Sequence, residues 1–198
     1  MPAPQRREAI LNSAEEIFAR HGYHGASLDD IAEAGGISKA LIYEHFTSKR
    51  ELHASLVHAH VEEIFRRLQA NADTAHSGTT AEDRLRGGID AFLSFVEEHR
   101  DAYRALFRDA ADPEVGDIIE RARVQANSVI AALMAADPEA PQVRAEAIEM
   151  HAALLSGGVQ SLANWWDDHR DVPRVVLVNR AMEFCWVGIE RLRVSAPS

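Results

Sequence analysis

Cysteine is almost absent from this chain. Cys185 is the only one in 198 residues, which excludes an internal disulfide framework and fits a reducing cytoplasm. No apolar run approaches the length needed to span a bilayer, and the opening MPAPQRREAILNSAEEIF carries acids where a signal peptide needs an uninterrupted apolar segment. A soluble, cytoplasmic protein is the expectation. Catalytic patterns are equally scarce: there is no Ser/His/Asp order, no phosphate-cradling glycine loop and no paired-carboxylate site. Cys185 sits in the apolar run FCWVGI, where burial raises a thiol's pKa and no base stands near. An enzyme is therefore not expected. Metal spacing is missing as well. His53, His58 and His60 fall within one helix, yet no pair has the i, i+3 or i, i+4 spacing of a shared ligand face, so a solvated helix surface is expected for all three. No metal and no cofactor are expected.

What is present begins with GGISKALIYEHFTSKREL, residues 35 to 52. Gly35 and Gly36 break the preceding amphipathic helix, Ser38 can accept a hydrogen bond from the free N–H groups of the next one, and Ser48 can repeat that service after Phe46 and Thr47. Two helix starts so close imply a very short helix between them. Helix-turn-helix units need such a helix, because its first turns enter the major groove while the flanking helices bury its other side. Ile37, Ile42 and Phe46 are the candidates for that small core. Lys39, Ala40, Leu41, Tyr43 and His45 are left for the outer surface, a mixed set that suits phosphate positioning with limited base readout. Upstream, Ile10, Ala14, Ile17 and Phe18 follow helical spacing, HGYHGAS forms a turn, and Ser27 caps a short helix carrying Leu28, Ile31 and Ala32. Three helices thus precede residue 46.

The order F-A-R-H-G-Y, then S-L-D-D-I-A-E-A-G-G-I-S-K-A-L-I-Y-E-H-F, then S-K-R-E-L resembles the amino-terminal domain of TetR-type transcriptional regulators over about residues 6 to 60. The resemblance implies an all-α protein of about nine helices, with a helix-turn-helix DNA-binding domain over residues 1–52 and a helical ligand-binding and dimerisation domain over 53–198. It also implies DNA contacts from Ser27, Ser38, Lys39, Ala40, Leu41, Tyr43, His45 and Lys49. Ser27 serves both as cap and as phosphate donor in this reading, since its hydroxyl and backbone N–H can serve different partners. Lys49 stands at the unfavourable end of a helix dipole for a cation, which a phosphate partner would help explain. Lys39 follows the Ser38 cap directly and suits phosphate or guanine, with a simply solvated lysine as the alternative. Glu44 and Leu41 depart from the usual family residues. Glu44 is expected to turn away from the backbone phosphates, and Leu41 either meets a thymine methyl or extends the core.

Charge has to be reconciled with this. The net charge is −10, whereas counterion release by lysine and arginine supplies most non-specific DNA affinity. Residues 1–50 hold six Lys or Arg against seven Asp or Glu, and the remainder fifteen against twenty-four, so the acid excess lies in the body. Arg6, Arg7, Lys39, Lys49 and Arg50 are the cations expected around the recognition helix, and two copies of the chain are needed for useful affinity.

Beyond residue 52 long helices follow without strand alternation. Leu52, Leu56, Ile64, Phe65 and Leu68 form one stripe, and Ile89, Phe92, Leu93, Phe95 and Val96 another. Asp112-Pro113 and Asp137-Pro138 each give a capping acid followed by proline at the first helical position. Two last helices, about 142–168 and 172–193, carry a wide apolar face that includes Leu154, Trp165 and Val175. By resemblance that face is a four-helix dimer interface formed by Leu155, Gly158, Val159, Leu162, Trp166, Val178, Met182, Cys185, Trp186 and Ile189; closure of the chain's own core is the alternative. Gly157-Gly158 inside the first of these helices suggests a close helix crossing.

A small hydrophobic or aromatic effector is expected in the body, lined by Phe65, Phe92, Phe95, Tyr103, Phe107, Asn127, Met150 and His151, each of which can equally be core. The partners implied are thus a double-stranded DNA operator, that effector and a second copy of the chain, with no membrane. The expected mechanism is a repressor dimer released from a near-palindromic operator by its effector, through a shift between conformations. A helical ligand carrier or scaffold, using its amino-terminal unit for protein contacts, is the alternative.

Overall fold

The computed structural model describes residues 3–73, 79–108, 113–135 and 144–194. Among them are nine α-helices and no strand: α1 (Ala3–Gly25), α2 (Leu28–Ala34), α3 (Lys39–His45), α4 (Lys49–Asp73), α5 (Ala81–Glu98), α6 (Arg100–Tyr103), α7 (Pro113–Ala135), α8 (Ala145–Asp167) and α9 (Arg174–Val194). A π-helical turn, Arg104–Arg108, continues α6, and Gly22 breaks α1 near its end with φ of 66°. The chain divides into two compact units, residues 1–63 with 99–119, and residues 64–98 with 120–198.

In the first unit, α1 packs on α2, α6 and the π-helical turn. Ile10, Ala14, Ile17 and Phe18 of α1 are buried with Leu28, Ile31 and Ala32 of α2, Ile42 of α3, Phe46 and Leu52, which is the periodicity read from the sequence. Pro113 opens α7 as expected, and Val115 and Ile118 bury its first turns. Asp137-Pro138 lies outside the described residues.

In the second unit, α5, α8 and α9 pack together. Ile89, Leu93, Phe95 and Val96 of α5 meet a core from Ala152, Leu155, Val159, Ala163 and Trp166 of α8 and Leu177, Val178, Ala181 and Met182 of α9. Trp166 Nε1 donates to Val172 O at 2.7 Å and fixes the turn between the last two helices. Arg174 ties α9 to α5 through Asp90 and Glu97, each at 2.9 Å.

This corrects five of the ten residues assigned to the dimer interface. Leu155, Val159, Trp166, Val178 and Met182 are buried inside the chain's own second unit, while Leu162, Cys185 and Trp186 are half-buried. The side chain of Ile189 lies outside the described residues. Exposed apolar side chains stand at neighbouring positions instead: Leu154 (68%), Trp165 (45%), Val175, Val176, Phe184 (80%) and Val187. Gly157 and Gly158 are exposed, and a methyl group added to either would touch nothing among the described residues, so no described helix crosses closely over them. Burial pushes the Cys185 thiol up, as its apolar surroundings suggested.

Candidate nucleic-acid interface

The reading segment is built from three capped starts. At α2, Asp30 N donates to Ser27 Oγ at 3.1 Å while Ser27 N donates back to Asp30 Oδ2 at 3.1 Å, a reciprocal box. Ser27 Oγ also donates to the same carboxylate at 2.7 Å, and these bonds hold Asp30 below the usual carboxylate range. At α3, Leu41 N donates to Ser38 Oγ at 3.1 Å. At α4, Glu51 N donates to Ser48 Oγ at 3.1 Å, and Thr47 donates to Glu51 through its N–H at 2.7 Å and its hydroxyl. The turn between α2 and α3 needs both its glycines. A methyl group at Gly35 would sit 2.6 Å from Ser13 Oγ on α1, and Gly36 has φ of 59°, the left-handed region that side chains disfavour.

This turn leaves one face of α3 outward. Ile42 and Phe46 are buried, Lys39, Ala40, Tyr43 and Glu44 are exposed, and Ile37, Leu41 and His45 are half-buried. Tyr43 is 52% exposed, unusual for a tyrosine that serves only packing.

The cations are less free than the sequence suggested. Lys39 Nζ lies 2.9 Å from Asp29 Oδ2, and that bond raises its pKa. Both groups are exposed, so solvent screens the pair and a phosphate can displace the carboxylate. Lys49 is different. Its ammonium donates to Tyr23 O at 2.7 Å and Ala26 O at 2.8 Å and lies 4.6 Å from the Tyr23 ring centre. The charge expected to meet phosphate instead closes the end of α1, which also accounts for a cation at the start of α4. Ser27 needs the same correction, because both of its donors are committed to Asp30. Arg50 pairs with Glu114 at 3.1 Å, and Arg7 lies over the Phe46 ring.

The histidine expectations change too. His53 is buried, edge-on to Phe18 and against Tyr23, and His60 is buried as well; only His58 is solvated. His60 Nε2 on α4 lies 3.6 Å from Glu15 Oε1 on α1, and His99 Nδ1, just before α6, lies 2.9 Å from the same oxygen. The His99 hydrogen bond is the main cause holding Glu15 below the usual carboxylate range, and burial pushes His60 down. Reading histidine spacing within one helix could not find this convergence of three.

The eight residues assigned to an effector site do not share one compact unit. Tyr103 and Phe107 stack on each other in the first, with centroids 5.2 Å apart, and the other six belong to the second. There Phe95 is fully buried core, Phe65 and Phe92 are half-buried, and Ser156 Oγ donates to Asn127 Oδ1. His151 Nδ1 bonds its own helix at Ala147 O, 2.6 Å away, so it is a satisfied histidine. Met150 is 58% exposed, which corrects its assignment as lining. A cleft of about 550 Å³ in this unit is bordered by Asp83, Arg86, Gly87, Asp90, Glu97, Arg174, Val175, Val178 and Asn179, none of them among the eight. Five of its nine lining residues are charged: Asp83, Arg86, Asp90, Glu97 and Arg174.

Residues 10–56 match the model of "Bacterial regulatory proteins, tetR family", and residues 81–188 match "Tetracyclin repressor-like, C-terminal domain". Over 194 residues the chain is 28% identical to the HTH-type transcriptional activator FasR of Mycolicibacterium smegmatis, covering 97% of this chain and 86% of that protein. It is 31% identical over 106 residues to the HTH-type transcriptional repressor KstR2 of the same organism, covering 54% of this chain and 50% of that protein. A TetR-like transcriptional regulator from Rhodococcus sp. shares the fold with a TM-score of 0.80 at 23% identity, over 96% of this chain and 98% of that one. FadR of Bacillus subtilis, solved in complex with stearoyl-CoA, does so with a TM-score of 0.76 at 17% identity, over 90% and 96%. No described helix is long and apolar enough to cross a membrane. With a helix-turn-helix segment at residues 10–56 and a matched helical domain over more than half its length, this chain belongs to the TetR family of DNA-binding transcriptional regulators.

Proposed function

We propose that the chain is a repressor that binds a near-palindromic double-stranded operator as a homodimer and is released by a small hydrophobic effector. The observation that carries DNA reading is the surface of α3, which buries Ile42 and Phe46 and turns Lys39, Ala40 and Tyr43 outward. Lys39 and Tyr43 take phosphate or base-edge contacts, Leu41 and His45 flank them, and Ser38 keeps its O–H to donate after accepting from Leu41. Residues 1–52 form the DNA-binding domain in this reading, and residues 53–198 the domain that binds effector and partner copy.

Dimerisation falls to the exposed face of α8 and α9. Leu154, Trp165, Val175, Val176, Phe184 and Val187 are exposed apolar side chains on these two helices, and the bare backbone at Gly157 and Gly158 allows a second helix close approach. A two-fold interface uses the same patch on both copies. We assign the effector to the second unit, near the half-buried Phe65, Phe92, Asn127 and His151. The stearoyl-CoA bound by the Bacillus subtilis FadR supports an acyl conjugate as the class to try first.

The similarity to FasR over nearly the whole chain favours a second reading, activation, on the same DNA-binding surface. A reporter fused to a promoter containing the retained operator tests the sign. Higher output in the absence of the protein supports repression, and lower output supports activation.

A further inference from the structure

We propose that Glu15, His60 and His99 form a binding site for a divalent transition-metal ion, zinc foremost. The three come from α1, α4 and the residue before α6, all within the first compact unit. One ligand atom of each lies within 4.8 Å of the others. Glu15 Oε1 is 3.6 Å from His60 Nε2 and 2.9 Å from His99 Nδ1. Tetrahedral zinc with nitrogen and oxygen ligands at about 2.0–2.2 Å holds those ligand atoms about 3.3–3.6 Å apart, so small side-chain rotations admit the ion. The two imidazoles cross at 66° with centroids 4.9 Å apart, and such crossed rings can point lone pairs at one position.

The chemistry of the set fits as well. Two imidazoles and one carboxylate, without sulfur, suit zinc, cobalt and nickel rather than calcium or magnesium, which prefer oxygen alone. Three protein ligands leave a fourth position for water. Glu63, three residues after His60, lies on the same face of α4 and adds negative charge beside the cluster. His60 is buried, whereas Glu15 and His99 keep about a quarter of their side-chain surface exposed, which leaves the ion a way in. A bound ion would tie α1, α4 and α6 together. This site stands apart from the regulatory reading, since it requires no operator and no effector.

Cobalt titration of the chelator-treated, tag-free full chain tests it. One equivalent per chain with visible d–d absorption, displaced by one equivalent of zinc, is expected, together with a zinc-dependent rise in Tm that chelator reverses. Glu15→Gln keeps the side chain's shape and removes the anionic ligand, and His99→Ala removes a partly exposed one. Each should weaken binding by at least the roughly 10–100-fold that loss of an outer-shell partner costs, while His58→Ala, on the solvated face of α4, should leave it unchanged. Absence of the cobalt band, or a band that survives both substitutions in folded protein, overturns the assignment. Circular dichroism of each variant establishes that it is folded, and the wild-type titration decides the matter even if a variant is not.

Discussion

Lys49→Met separates two roles that a lysine at the start of α4 could have. The ammonium makes hydrogen bonds of 2.7 and 2.8 Å to Tyr23 O and Ala26 O and stacks over Tyr23 at 4.6 Å. Hydrogen bonds from a charged donor contribute about 1.5–3 kcal/mol each, and a part-exposed cation–π contact about 0.5–1 kcal/mol. Against these, a cation at a helix start costs about 0.3–1 kcal/mol, and water can reach the half-buried carbonyls once the lysine is gone. The lower ends of these ranges apply, and the net loss is about 2–3 kcal/mol. For a chain of this size that is a Tm lower by about 4–12 °C. Urea unfolding followed by circular dichroism measures it directly. A phosphate contact leaves a different signature: each one lost reduces the salt slope of DNA binding by about 0.9. Lys49→Met should therefore lose stability and keep the salt slope, and Lys39→Met should do the reverse, because its exposed pair with Asp29 is screened by solvent. A Lys49→Met protein of unchanged stability with a reduced salt slope would refute the assignment of Lys49 to the fold.

Further outcomes follow from caps and faces. Ser27→Ala removes the box at the start of α2 and should cost about 1 kcal/mol at neutral pH. Because Asp30 is held below its ordinary value of 3.8 in the folded chain, its contribution is full above that value and disappears as pH falls through the folded pKa. The stability gap between wild type and Ser27→Ala should accordingly narrow in acid; a gap independent of pH would exclude Asp30 as the partner. Gly36→Ala places a methyl group at φ of 59° and should destabilise by about 1–2 kcal/mol without any clash. Phe184→Asp puts a charge on the exposed face of α9, and sedimentation should then show monomer where wild type is dimer, with helix content unchanged. An unaltered dimer would place the interface elsewhere.

Which features the sequence displayed depended on whether their partners were local. The caps at Ser27, Ser38 and Ser48 were legible because each bond closes over three residues, and the burial of Ile42 and Phe46 followed from helical spacing. Lys49 was not, since its carbonyl partners lie 26 and 23 residues away. The same holds for His60, whose neighbours come from α1 and from the start of α6. The face of α8 misled for another reason. Leu154 and Leu155, like Trp165 and Trp166, are adjacent apolar pairs, and neighbours on a helix point about 100° apart. Both faces are apolar, so periodicity alone could not say which one the chain keeps for itself.

DNA reading by α3 is the claim on which the rest depends, and titrating the full chain against labelled genomic fragments at low ionic strength, then footprinting those retained, measures it most directly. Protection of an inverted repeat whose half-sites lie about one helical turn apart, roughly 34–36 Å, is the expected result, with affinity falling steeply as salt rises and with Lys39→Met and Tyr43→Phe weakening it. Failure to retard any fragment at the lowest salt, by protein shown to be folded and dimeric, would contradict it.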